Sequence, residues 1–124
     1  MSNNLEFNTL IQLVLPKELN DYFEVKKIEE GKTKIEIFLE EFNLAPVGYK
    51  KENLLSKGFY EPIVIQDFPI RSRSVYLNIK RRKWKDKTTN KIIHRDWNAV
   101  AQGTHFTQEF ADFLKEILRR TTNK

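Results

Sequence analysis

The 124-residue chain has no cysteine, and only four glycines, four prolines and two histidines. The first absence excludes a disulfide scaffold, a thiolate metal site and a cysteine nucleophile. The four glycines are isolated, at 31, 48, 58 and 103, so no glycine-rich phosphate loop exists. His94 and His105 alone cannot supply the four ligands of a structural zinc site. No Gly-x-Ser-x-Gly turn marks a serine nucleophile. No apolar run approaches the ~18 residues of a membrane span. Residues 1–6 lack the basic-then-apolar layout of a signal peptide, which leads us to expect a cytoplasmic protein without membrane partners.

Aromatic residues and positive charge stand out among what is present. Nine Phe, four Tyr and two Trp make 12% of the chain, and the net charge is +5. The charge is uneven. Residues 1–62 carry 8 Lys/Arg and 11 Asp/Glu, whereas residues 63–124 carry 14 and 6. Between Arg71 and Arg95 there are ten cations and one acid, Asp86. An asymmetry of this kind suggests a face for a polyanion.

Periodicity predicts an α+β fold in a single domain over 1–124, with a helix-plus-hairpin half (1–58) and a basic-ribbon-plus-helix half (59–120). Leu10, Ile11, Val14 and Leu15 recur at helical spacing over 5–15. Pro16 suits the first position of a second short helix. Residues 22–41 read as an antiparallel hairpin turning at Glu30-Gly31-Lys32, with glycine supplying positive φ and Ile28 breaking the alternation. Residues 42–58 read as a loop. Ile63-Val64-Ile65 predicts a short buried strand. Residues 74–84 predict one long strand, with Val75, Leu77 and Ile79 on one face and Tyr76, Asn78, Lys80, Arg82 and Trp84 on the other. Asp86 to Lys91 is turn chemistry. Lys91 to Trp97 returns as a strand, making 61–97 a three-stranded antiparallel meander. Thr107 suits a helix N-cap, and Phe110, Phe113, Leu114, Ile117 and Leu118 give the helix an apolar stripe. This helix packs across the sheet.

The carboxylates are scattered. Asp67, Asp86 and Asp96 interrupt basic surroundings, where a carboxylate commonly orients a loop; a small hydrolase built on Asp67 or Asp96 is the less favoured use. The basic strand is the sharper signal. Lys80, Arg81, Arg82, Lys83 and Lys85 interleave with Tyr76 and Trp84, as a nucleic-acid face would need. Arg71 and Arg73, in the preceding turn, would join Lys80, Arg82 and Lys83 on phosphates. Lys85, Lys87, Lys91 and Arg95 would extend the track. Tyr76, Trp84 or Trp97 would touch sugar or base. The competing reading makes Trp84 and Trp97 core residues and leaves the charges to wet the outside. Replacing Arg81, Arg82 and Lys83 by alanine is expected to weaken DNA binding and leave the melting temperature nearly unchanged.

The run from Ser56 to Leu114, with its order Gly-Phe-Tyr, Gln-Asp-Phe-Pro-Ile and Val-Tyr-Leu between Gly58 and Leu77, resembles the N-terminal region of insertion-sequence transposases of the ISAon type. Residues 10–41 look similar too. The same half is more distantly similar to the zinc-ribbon region of ISL-type transposases. Asp67-Phe68-Pro69 keeps that ribbon's turn and Val75 to Lys83 its strand. Its cysteine pairs are missing near Asn53 to Lys57 and at Asp86 to Thr89. The resemblance implies a ribbon without zinc, held by packing among Ile65, Leu77, Ile79, Ile93, Phe110 and Phe113. It implies DNA binding at an element's ends, with catalysis supplied by a separate acidic domain and no metal, cofactor or catalytic residue here. The alternative is a protein-interaction module that docks on that catalytic subunit through Phe38, Tyr49 and Phe59.

Overall fold

A computed structural model describes residues 15–102 and 107–122. The expected helix over 5–15 lies outside these residues except for Leu15, as do Gly103 and His105. The described residues form an α+β fold, with helices near both ends flanking seven strands in two sheets. Among the described residues no helix is long and apolar enough to cross a membrane.

Pro16 opens a turn in which Leu19 N–H bonds the Pro16 carbonyl, leading into the four-residue helix α1 (Leu19–Tyr22). The hairpin follows as β1 (Phe23–Glu30) and β2 (Lys34–Glu41). Its register shifts between Val25 and Lys27, so an extra residue absorbs the break in alternation seen at Ile28. Gly31 is at the turn as expected, but not for a positive φ. A Cβ there would sit 3.3 Å from the Lys34 carbonyl oxygen, inside ordinary contact distance.

The expected loop over 42–58 ends in a 3-10 turn (Lys51–Asn53) and a strand, β3 (Leu54–Phe59). The next strand is β4 (Ile63–Ile70), antiparallel to β5 (Arg73–Lys80). Ile63 and Ile65 are buried but Val64 is exposed, because β4 is an edge strand with one covered face. The larger sheet has the order β1-β2-β5-β4, with β2 and β5 parallel. That parallel pair was not legible in the hairpins, since it joins strands with β3 and β4 between them in sequence. Ile35, Ile37, Leu39, Val75, Leu77 and Ile79 face one side of this sheet and form the core.

The expected strand over 74–84 divides at Arg81. Beyond it run β6 (Arg82–Asp86) and β7 (Lys91–His94), which pair with β3 in a second sheet, order β3-β6-β7. The single meander is therefore two hairpins in two sheets. The chain continues to alternate through Arg81, but the covered face changes. Val75, Leu77, Ile79 and Arg81 are buried, and then Trp84 and Asp86. Lys83 and Lys85 thereby point outward.

Asp96 ends this hairpin and caps α2 (Trp97–Ala101), its side chain accepting the Ala99 N–H at 3.1 Å. Trp97 is thus on a helix, not on the expected strand. The C-terminal helix α3 (Gln108–Thr122) starts as the sequence indicates, with Thr107 Oγ1 accepting the Phe110 N–H at 3.3 Å. Phe110, Phe113, Leu114 and Ile117 cover the core face of the larger sheet together with Trp97, whose ring stacks on Phe23 at 5.6 Å. Ile65, Leu77 and Ile79 belong to this core as expected, but Ile93 lies on the second sheet and does not.

Candidate nucleic-acid interface

Strands β3, β6 and β7 with the β6–β7 turn (residues 54–59 and 82–94) hold six cations and one acid, Asp86, and the rest of the chain's 22 cations and 17 acids balance. The net charge of the protein is therefore the charge of its small sheet.

Strand register sorts these residues into two faces. Leu55 faces Lys85, which faces Ile92. One step along, Lys83 faces His94, and Lys57 follows Leu55 onto the same side. Gly58, at φ +82°, forms the bulge that sets Lys57 and Gly58 opposite Lys83. The outer face thus carries a Leu-Lys-Ile row beside a Lys-Lys-His row. Leu55 is 49% and Ile92 52% exposed, both high for large aliphatic side chains. Lys57, Lys83, Lys85, Lys87 and Lys91 form no ion pair among the described residues.

Tyr60 closes one end of this face. Its N–H bonds the Arg81 carbonyl at 2.9 Å. The Arg81 guanidinium lies 5.0 Å from its ring centroid, Lys83 Nζ lies 5.2 Å away, and His94 meets its edge at 5.9 Å. Arg81 is buried and its Nε has no hydrogen-bond partner among the described residues. Burial holds its guanidinium below the usual arginine range, with Tyr60 and Glu41 opposing that shift.

The inner face is structural. Trp84 is 1% exposed, and its indole N–H donates to Asn43 Oδ1 at 2.8 Å. Glu41, buried at the end of β2, accepts the Arg82 backbone N–H at 2.9 Å and Arg95 Nε at 2.6 Å. Arg82 Nε donates to the Glu41 carbonyl at 3.0 Å and Nη1 to Ser56 Oγ at 2.6 Å. Arg95 Nη2 donates to the Leu44 carbonyl at 2.8 Å, and its guanidinium lies within 6 Å of the Tyr22, Trp84 and Trp97 rings. Burial pushes the Glu41 carboxyl above the usual carboxylate range, although the Arg82 N–H and Arg95 pull the other way.

This geometry corrects several sequence expectations. Trp84 and Trp97, the latter 5% exposed, are core residues and cannot stack on a base. Arg82 and Arg95 are joined to Glu41 and build the junction between the sheets. Arg81 is buried in the same junction. Lys80 pairs with Glu40 at 4.0 Å and lies over Phe59. Arg71 and Arg73 stand at the far end of β5, about 23 Å from Lys80 at ~3.3 Å per residue, and Arg73 is ion-paired with Glu30. Tyr76 is on the larger sheet, with Lys34 over its ring at 5.7 Å. Of the sequence-derived set, Lys83, Lys85, Lys87 and Lys91 come together on the small sheet.

No family model, no curated protein and no solved structure matches this chain.

Sequence reasoning missed Leu55, Lys57, Tyr60, Ile92 and His94. The alternation of Leu55 and Lys57 signals a strand, but it covers too few residues to stand apart from a loop. Asp86, by contrast, does orient a loop. Its Oδ1 accepts the Thr88 N–H at 3.0 Å and hydroxyl at 2.7 Å, and these bonds hold its carboxyl below the usual range. Asp96 is occupied as a helix cap. Among the described residues no three His, Cys, Asp or Glu side chains cluster so as to hold a metal ion.

Proposed function

We propose that this chain is a non-catalytic DNA-binding module of transposase type, and that it binds through the outer face of its small sheet. The observation that carries the reading is the gathering of Lys57, Lys83, Lys85 and Lys87 on this face and its turn, unpaired, in a sheet outside which the charges balance. Neutralising phosphates with such cations releases condensed counterions, which drives binding. The role at the ends of a mobile element, ahead of a catalytic domain supplied elsewhere, is supported by the resemblance of residues 56–114.

Fluorescence anisotropy on a labelled duplex, repeated across salt concentrations, tests the reading. Phosphate contacts from Lys57, Lys83 and Lys87 give a slope of about −2.7 in log K against log salt, from ~0.9 per phosphate. The triple variant Lys57→Gln, Lys83→Gln, Lys85→Gln should bring the slope to about −1 by the same rule. An affinity that hardly responds to salt in the unaltered protein would end this proposal.

A second reading, docking on a catalytic subunit, draws on the loop after β2, where Leu44, Val47 and Tyr49 are exposed. Phe38 and Phe59 lend it less. Both are half-buried, Phe38 beneath Lys27 and Phe59 beneath Arg82. A complex with the neighbouring gene's product in the absence of DNA would favour it.

A further inference from the structure

We infer that the outer face of the small sheet enters the major groove of B-form DNA, and that Leu55 and Ile92 favour thymine by contacting its methyl group. The inference rests on the DNA-binding reading above and adds a groove and a base to it.

Width is the first argument. Three strands at ~4.8 Å spacing span about 10 Å. That is the distance between the outer strand axes; the major groove, about 12 Å wide, takes a two-stranded ribbon, whereas the minor groove, about 6 Å wide, is too narrow, so the face lies along the former. Residue order is the second. The Leu55–Lys85–Ile92 row sets a cation on the central strand between two exposed aliphatic side chains. In the major groove a lysine can reach the O6 and N7 acceptors of guanine, and aliphatic groups can cover the C5 methyl of thymine. Lys57 on one outer strand and Lys87 in the β6–β7 turn are placed for the phosphates of the groove walls, whereas Lys91, opposite Asp86, belongs to the other face of the sheet. The third argument is what the face lacks. Binding single strands uses flat aromatic rings for stacking. Here both tryptophans are buried, and Tyr60 is engaged by Arg81, Lys83 and His94. Double-stranded RNA is a poor fit, because its major groove is too deep and narrow for side chains to read.

The test compares three duplexes by anisotropy at one salt concentration. One contains A·T pairs, one has every thymine replaced by deoxyuridine, and one is the first duplex saturated with netropsin, which fills the minor groove. Loss of the methyl groups should weaken binding about fourfold per methyl covered, the factor that ~0.8 kcal/mol gives. Netropsin should leave binding unchanged. The variant Leu55→Ala, Ile92→Ala should bind both unmodified and deoxyuridine duplexes equally, with tryptophan fluorescence confirming that it is folded. Equal affinity of the unaltered protein for the thymine and deoxyuridine duplexes would overturn the inference, as would displacement by netropsin. In either case a steep salt dependence would leave the DNA-binding reading standing. If no duplex binds even at low salt, both fall.

Discussion

Removing the carboxylate of Glu41 would strand the Arg95 guanidinium among Tyr22, Trp84 and Trp97 with no counter-charge. A buried ion pair contributes little net stability, because desolvation offsets attraction, but breaking one partner leaves an uncompensated buried charge. Glu41→Ala should therefore lower the unfolding free energy by about 3–5 kcal/mol, read from urea denaturation. Lys85→Ala, on the outer face, should stay within about 0.5 kcal/mol of the unaltered protein. The same logic revises the alanine test suggested by the sequence. Arg81 and Arg82 are part of the junction, so replacing them lowers stability as well as charge, and any loss of DNA affinity would be ambiguous. Lys57, Lys83 and Lys85 form the set that separates binding from folding.

At the scale of elements, the β4–β5 turn is held against a conformational preference. Arg71 and Ser72 have φ of +48° and +68°, and Ile70 pairs with Arg73. Positive φ at both central positions is the type I′ hairpin turn, which favours asparagine and glycine. Ser72→Gly should stabilise the protein by roughly 0.5–1 kcal/mol, since glycine adopts that region at no steric cost. A destabilisation on urea titration would show that the serine makes a compensating interaction. The start of α3 gives a pH prediction. Glu18 accepts the Thr107 N–H at 2.8 Å and its hydroxyl at 2.9 Å. Burial raises the Glu18 carboxyl, but these bonds outweigh it and hold the group below its ordinary value of 4.5. A depressed carboxyl stabilises fully above its unfolded value, and that stability is lost as pH falls through the folded one. Stability should therefore decline below pH 4.5, and Thr107→Ala should flatten part of that decline. The variant should also cost about 1 kcal/mol at neutral pH through the lost cap.

These elements show what a sequence can and cannot disclose. The hairpin over 22–41 and the start of α3 were legible, because each is fixed by neighbours in sequence. A period of two, a turn, a cap and a stripe suffice. The bulge at Lys26 was half legible, as a break at Ile28. The division at Arg81 was not, because alternation runs through it unbroken and only the covering layer changes. Nor was the fate of Arg82, Trp84 and Arg95. Each sits in a basic, aromatic run that looks like a surface, and each is drawn inward by Glu41 or Asn43, some forty or fifty residues earlier. Lys83, Lys85 and Lys87 were found, and the strand that completes the face, with Lys57 on it, was not.

For the whole molecule, the question is whether two sheets unfold as one. The small sheet has three short strands, and its inner face is built around a single large side chain, Trp84. Three strands stand alone only with an apolar face or a covering layer, and this face has little beyond Trp84. Its attachment runs through the one-residue step at Arg81 and the bonds from Glu41 to Arg82 and Arg95. The two tryptophans divide neatly between the parts, since Trp84 lies in the small sheet and Trp97 in the main core. Trp97→Phe leaves a fluorophore that reports on the small sheet, and Trp84→Phe one that reports on the core. With Glu41 present, the two reporters should lose their buried emission at transitions separated only by the stability difference between the two variants. Each midpoint should agree with the one read by circular dichroism on the same protein, as two-state unfolding requires. Adding Glu41→Ala to both should break that agreement. The Trp84 reporter should then change at lower urea than the secondary structure of the same chain, because the small sheet comes away first. The Trp97 reporter should continue to follow the bulk of the fold. Agreement of the two probes in both Glu41→Ala proteins would mean that cohesion comes from packing across the junction, and that the buried carboxylate is not what couples the DNA-facing sheet to the rest.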